Sequence, residues 1–133
     1  MATERSSRPV SYEDTEVYKQ GRRLAAEIHR MTYEELPWTE QYEEASQIRR
    51  SSKAIVANFV EGYGMRRYKA EFVYRLTKAG AECDETKAHL QMLADAGSLS
   101  KDRFEHFYVE YRKLGGMLYN FRESVLRSHL SDQ

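Results

Sequence analysis

The chain is poor in the residues that interrupt helices and in those that do redox or metal chemistry. Of its 133 residues only two are proline, Pro9 and Pro37. Everything after Pro37 therefore lacks the residue least tolerated inside a helix. A single cysteine, Cys83, excludes an internal disulfide and fits a reducing, cytoplasmic setting. No apolar run approaches the roughly 20 residues of a membrane span, so no membrane partner is expected. Met1–Arg5 has no apolar stretch behind it, as a signal peptide would need. The formal net charge is zero, which excludes polyanion binding by bulk charge.

Recognisable catalytic and cofactor patterns are missing too. A di-iron bundle needs inward glutamates and Glu-x-x-His pairs. None of His29, His89, His106 and His129 has a glutamate three residues before it, so no metal is expected. Gly62-x-Gly64 follows a helical pattern, not a strand, and lacks the Lys-Ser/Thr of a phosphate loop. Cys83 lies in an apolar stripe and reads as a small buried hydrophobe. Ser51-Ser52 has no base that the sequence arranges. The expectation is a protein with no enzymatic activity and no cofactor.

What is there is helical periodicity. Strand alternation and internal repeats are absent. Residues 1–11 read as a polar arm, with Ser11 or Asp14 as the cap of a first helix over 13–32. Its stripe is Val17, Gly21, Leu24, Ala25, Ile28 and Met31. Pro37 breaks the chain, and Thr39 is the expected cap of a second helix. That helix has the stripe Tyr42, Ala45, Ile48, Ser52, Ile55, Phe59 and Tyr63. Gly62 and Gly64 are expected to stop it. A third helix over 68–96 carries Phe72, Leu76, Ala79, Cys83, Thr86, Leu90 and Leu93, and Gly97 ends it. Ser98 or Ser100 caps a fourth over 101–130, striped by Phe104, Phe107, Tyr108, Tyr111, Leu114, Leu118, Phe121 and Val125. The fold class is all-α: an antiparallel up-down four-helix bundle over 12–130, with Trp38 expected to pack over one end.

The second helix is unusual. Ala54–Val60 reads A-I-V-A-N-F-V, apolar on nearly every side, with Asn58 inside it. A helix apolar all round is usually buried all round, and a bundle buries one face of each helix. The opposite face, with Ala54 and Ala57 between Arg50 and Glu61, is therefore expected to meet another copy of the chain, Asn58 fixing the register. A loop or the N-terminal arm covering that face is the alternative.

Charge is also unevenly spread. Residues 33–45 hold five glutamates, Glu34, Glu35, Glu40, Glu43 and Glu44, and no base. Residues 46–70 hold Arg49, Arg50, Lys53, Arg66, Arg67 and Lys69 against Glu61 alone. This basic strip is either a solvated face or a contact for an acidic partner. Arg50 points at the expected subunit interface. Arg49, with Lys53, is on the flank and is the better candidate for an outside ligand.

The run SQIRRSSKAIVANFVEGYG, followed by RRYKAEFVYRL, resembles the signature of the four-helix-bundle proteins encoded in intervening sequences of bacterial 23S ribosomal RNA genes. The accessory protein of diversity-generating retroelements is a relative. The motif residues here are Gln47, Ile48, Arg49, Arg50, Asn58, Glu61, Gly62, Tyr63 and Gly64, and the opening SYEDTEVYKQGRRLAAEIHRMT is similar to that family's first helix. The resemblance spans roughly 11–125. It implies a ring-like homopentamer without known enzymatic activity and, from the retroelement branch, contact with structured RNA or a reverse transcriptase through a basic surface. Val56 stands where the family often has proline, and Tyr68 where it often has a capping serine. The rival expectation is a protein–protein adaptor that binds no nucleic acid.

Overall fold

Four helices account for nearly all of residues 11–128, which the computed structural model describes. They are α1 (Glu16–Glu34), α2 (Glu44–Gly64), α3 (Lys69–Asp95) and α4 (Lys101–Ser128), with short 3-10 turns at Tyr12–Asp14 and Trp38–Glu40. No strand occurs among the described residues. Residues 1–10 of the expected arm, and 129–130 of the expected fourth helix, lie outside them. Ser11, expected in the arm, instead accepts a hydrogen bond from the Glu13 backbone N–H and closes a capping box with Asp14. The cap of α1 is thus Thr15 and not Ser11 or Asp14: its hydroxyl accepts from the Tyr18 N–H at 3.2 Å.

Helix α2 starts later than the sequence suggests, at Glu44. Pro37 and the short turn after it hold Trp38–Glu40 apart from the helix, so Thr39 caps nothing in α2. Trp38 is 78% exposed and Tyr42 91% exposed, so neither packs on the bundle; Leu36 is the buried residue of this connection. The helix runs unbroken through Val56. It ends at Gly64 with Met65 as its C-cap at φ −103°; Gly62 and Gly64 are helical, so the left-handed stop expected there does not form. That device appears at the end of α3. Gly97 has φ +77°, its N–H donates to Ala94 O, and the Ser98 N–H donates to Leu93 O. These are the two bonds of a Schellman cap, and glycine fits the conformation because it has no Cβ. Ser100 caps α4 by accepting from the Arg103 N–H at 3.2 Å.

Helix α1 packs on α2, α2 on α3 and α3 on α4; α4 returns to α1 with the smallest of these interfaces, and α2–α3 is the largest. The core is made of the expected stripes: Leu24, Ile28 and Met31 of α1, Ile48, Ile55 and Phe59 of α2, Leu76, Leu90 and Leu93 of α3, and Phe107, Tyr111 and Leu114 of α4. Near the α2–α3 connection the core turns aromatic. Phe59 and Phe121 meet edge to face with centroids 5.3 Å apart, and Phe72 meets Phe121 at 5.9 Å. Among the described residues no helix is long and apolar enough to cross a membrane.

Candidate nucleic-acid interface

The motif helix is two-faced, but its second face belongs to the same protomer. Gly62 lies so close to α3 that a Cβ there would sit 2.8 Å from Arg75 Cβ. Such a separation needs one helix to move, so glycine is required for close approach and not as a stop. Asn58, 8% exposed, donates from Nδ2 to Ala54 O at 2.9 Å and accepts at Oδ1 from Arg75 at 3.4 Å. Its partners are intramolecular, so it registers α2 on α3. Glu61 pairs with Arg75 at 3.3 Å. Arg50 donates to Glu82 at 3.3 Å and to Glu85. Within the protomer Arg50 and Glu61, expected to pair across a subunit boundary, each bridge to α3. Of the expected interface, Ala54 is half-buried and only Ala57 stands exposed between the bridges.

The α2–α3 seam is lined by polar groups throughout. The Ser51 and Thr86 hydroxyls, both buried, lie 2.8 Å apart. His89 is buried with Nδ1 2.5 Å from Glu44 and Nε2 3.4 Å from Glu85. Carboxylates only accept, so both contacts act as hydrogen bonds together only when both ring nitrogens carry hydrogen. Burial raises the Glu85 carboxyl, and hydrogen bonds from Arg50 and His89 outweigh it, leaving the group below the ordinary carboxylate range. The same bonds, Glu85 first and then Glu82, hold Arg50 more firmly in its charged form. In the sequence Glu85 and His89 are no more than i,i+4 neighbours, and Glu44, Glu82 and Arg75 give no signal without the packing of α2 on α3.

Arg49 is not free for an outside ligand. Its guanidinium donates to Thr32 Oγ1 at 2.8 Å and to Gln41 Oε1 at 3.2 Å, and stacks 4.5 Å from the Tyr33 ring centroid. It ties α2 to the end of α1. Lys53 is exposed, with Nζ 3.3 Å from His29 Nδ1.

The remaining bases gather at the α2–α3 turn. Arg66 stacks over Tyr63 at 4.5 Å and donates to Tyr63 O; Arg67 is 6.0 Å from the exposed Tyr68 ring. Lys69 reaches Leu126 O at 3.4 Å and so brings the end of α4 alongside. More bases follow along α3. Arg75 and Lys78 lie 5.6 and 5.9 Å from the ring of exposed Tyr74. From Lys69 to Lys78 these bases are spread over about 14 Å of helix at different angles about its axis. Cations interleaved with exposed tyrosines can neutralise phosphates and stack on bases together. Tyr74 and Lys78 were missed because they lie off the charged segment; their spacing from Tyr68 and Arg67 was the available signal.

Among the described residues no three His, Cys, Asp or Glu side chains converge as metal ligands. Cys83 is buried and donates to Tyr111 O at 3.3 Å; burial pushes its thiol up to about 11, far from a reactive thiolate.

A comparison with curated proteins returns no match. A solved structure of a protein with unknown function from the S23 ribosomal protein family of Bacteroides thetaiotaomicron is similar, with a TM-score of 0.73 and 21% identity over 80% of this chain and 97% of that one. At that identity the likeness concerns the fold. The model of the 23S rRNA-intervening sequence protein family matches residues 13–120. That match contains the whole of the α2–α3 seam, and the chain belongs to the 23S rRNA-intervening sequence protein family.

Proposed function

We propose that the protein is a non-enzymatic, homo-oligomeric scaffold, an antiparallel up-down bundle assembled as a ring of five copies, that contacts structured RNA or an RNA-bound protein. The contact is the group of bases Arg66, Arg67, Lys69 and Lys78, with the exposed rings of Tyr68 and Tyr74. The observation that carries the reading is the pairing of cations with exposed rings, Arg67 with Tyr68 just before α3 and Lys78 with Tyr74 on it. The up-down course is supported by Ser98 Oγ donating to Glu40 at 2.6 Å, which brings the first and third connections together at one end. Ring assembly repeats the group around an axis, and so concentrates bases that the neutral chain does not supply in bulk.

The test is binding of an RNA hairpin at several salt concentrations. Wild type is expected to bind at low salt, and Arg66→Ala/Arg67→Ala/Lys69→Ala to reduce the slope of log K against log salt by about 2–3. No binding at low salt, or binding without a salt slope, overturns the RNA contact. A second reading, an adaptor that binds only protein, is favoured by one specific observation: Arg49 and Arg50 both spend their charge inside the protomer. Arg50→Glu separates the two. Lost assembly with RNA binding absent from the start supports the adaptor; intact assembly with RNA binding lost supports the scaffold on RNA.

A further inference from the structure

Two exposed features of this chain are only partly satisfied within it. One is the α1–α2 connection, where Tyr33, Trp38 and Tyr42 are all more than half exposed. Trp38 is the chain's single tryptophan. These rings stand among Glu34, Glu35, Glu40, Glu43 and Glu44, with no base in the whole 33–45 segment. Glu35 pairs with Arg103, Glu40 accepts from Ser98 and Glu44 meets His89, while Glu34 and Glu43 stay exposed; the carboxylates in excess around the rings repel phosphate. The segment therefore suits a basic protein surface with room for a ring.

The other feature is a groove of about 480 Å³ along the α3–α4 seam. Its volume is in the range of pockets that enclose a compact ligand or side-chain cluster, about 300–1,000 Å³. It exists because Gly80 and Gly116 face open space, with nothing within 4 Å of where a Cβ would stand. Leu76 and Leu118 give it an apolar floor. Lys87, Arg112 and Arg122 stand around it against Asp84. Lys87 pairs with Asp84 at 3.3 Å, and Arg122 donates to Thr77 and Glu123, both at 3.3 Å, with its Nε left without an acceptor; Arg112 has no hydrogen bond or ion pair among the described residues. Arg112 is thus the cation of the groove left for an outside carboxylate.

We infer that the acidic, aromatic α1–α2 connection of one copy docks in the basic α3–α4 groove of a second copy, with Trp38 as the anchor. The inference rests on the homo-oligomer proposed above and names the surface that builds it. The connection is at the end of the bundle, tied to Ser98, while the groove is on its flank, so a chain does not fill its own groove. Each copy offers one knob and one groove. A contact between two different patches is heterologous, which is the kind that generates closed rings. Charges of opposite sign set the pairing, and the buried tryptophan supplies the anchor.

Mixing of two variants tests this. Trp38→Ala removes the knob and leaves the groove. Gly116→Leu fills the groove and leaves the knob; the site is open, and leucine favours helix over glycine. Circular dichroism confirms that both fold. Light scattering is expected to give a multiple of 15.6 kDa for wild type, protomer mass for each variant alone, and a one-to-one pair for their mixture. In wild type, emission of Trp38 is expected to shift to the red and become more quenchable by acrylamide on dilution. A wild type that is already a monomer sinks the oligomer itself. A wild-type oligomer that persists in both variants sinks only this surface. Unchanged mass with lost RNA binding in Gly116→Leu assigns the groove to RNA and also overturns the docking.

Discussion

The seam between α2 and α3 and the seam between α4 and α1 are built from the same kind of amphipathic helix, yet they pack differently. The first brings backbones together at Gly62 and is crossed by Asn58–Arg75, Ser51–Thr86, Arg50–Glu82 and Glu44–His89. The second leaves a cleft of about 510 Å³ between Gln20, Leu24, Leu114 and Met117. Only rim contacts bridge it, chiefly Arg23–Glu110 at 2.8 Å and His106–Glu27 at 3.2 Å. The family signature falls on the tight seam. The difference teaches that the motif specifies how two helices of one protomer fit, because close approach and buried amides each demand particular residues. The loose seam demands only an apolar stripe.

The largest expected break in that contrast is Gly62→Ala. Its Cβ meets the stub of Arg75, which cannot swing aside as a side-chain tip would. Overpacking of this kind costs about 1–3 kcal/mol. Gly116→Ala, at an open site, is expected to stabilise by about 0.5–1 kcal/mol through helix propensity alone. Urea midpoints measured side by side check the opposite signs. If both alanines stabilise, the α2–α3 approach is not tight.

Next comes the buried hydroxyl pair. Thr86→Val leaves Ser51 Oγ with only its 3.4 Å contact to Ile48 O. An unsatisfied buried hydroxyl costs about 1–3 kcal/mol, whereas removing both partners is close to neutral. The double variant Ser51→Ala/Thr86→Val is therefore expected to be more stable than Thr86→Val alone. Additive losses in a double-mutant cycle would show that the hydroxyls do not interact.

A smaller and opposite effect is expected at Tyr68. It occupies the N-cap of α3 with extended backbone but makes no side-chain cap bond. Tyr68→Ser adds that bond and is expected to stabilise by about 0.5–1 kcal/mol. The same change removes a ring from the proposed RNA contact, so hairpin affinity is expected to fall while the urea midpoint rises. If affinity rises with stability, Tyr68 does not stack on RNA.

The elements themselves were legible in the sequence because burial imposes a period. Phe72 to Leu93 of α3 and Phe107, Tyr111, Leu114 and Leu118 of α4 are buried where the stripes put them, with Tyr108 only half-buried, and Gly97 ends α3 in the conformation glycine allows. Asn58 was legible as a buried amide. Its partner was not, because a helical wheel gives a direction and not the neighbour found there. The same limit turned Arg50 and Glu61 outward towards a second subunit when Glu82, Glu85 and Arg75 of α3 stood closer. Gly62 looked like a stop because Gly64 follows it; only the distance to Arg75 reveals a contact glycine. Trp38 looked like a lid because tryptophan is usually covered, and the short turn after Pro37 carries it outward instead.

The loose seam gives the smallest and most conditional effect. Arg23 bridges Glu27 of its own helix and Glu110 of α4, all at the rim. Such pairs are worth about 0.2–1 kcal/mol and are screened by salt. The Arg23 hydrogen bond lowers Glu110 below its ordinary value of 4.5, despite some burial. Burial raises Glu27, and hydrogen bonds from His106 and Arg23 reverse that, so it too is below 4.5. A carboxylate lowered in the folded state contributes stability that is present above its unfolded value and lost as pH falls through the folded one. The coupling between Arg23→Ala and Glu110→Ala is thus expected to be under about 1 kcal/mol at pH 7 and low salt. It should vanish in 1 M salt and fade as pH falls below 4.5. Hydrogen exchange along α1 and α4 should quicken over the same acid window before α2 and α3 respond, because those two are also held by contacts that do not titrate. Exchange that quickens equally in all four helices would mean that the two seams open as one unit and that their difference in packing has no energetic counterpart.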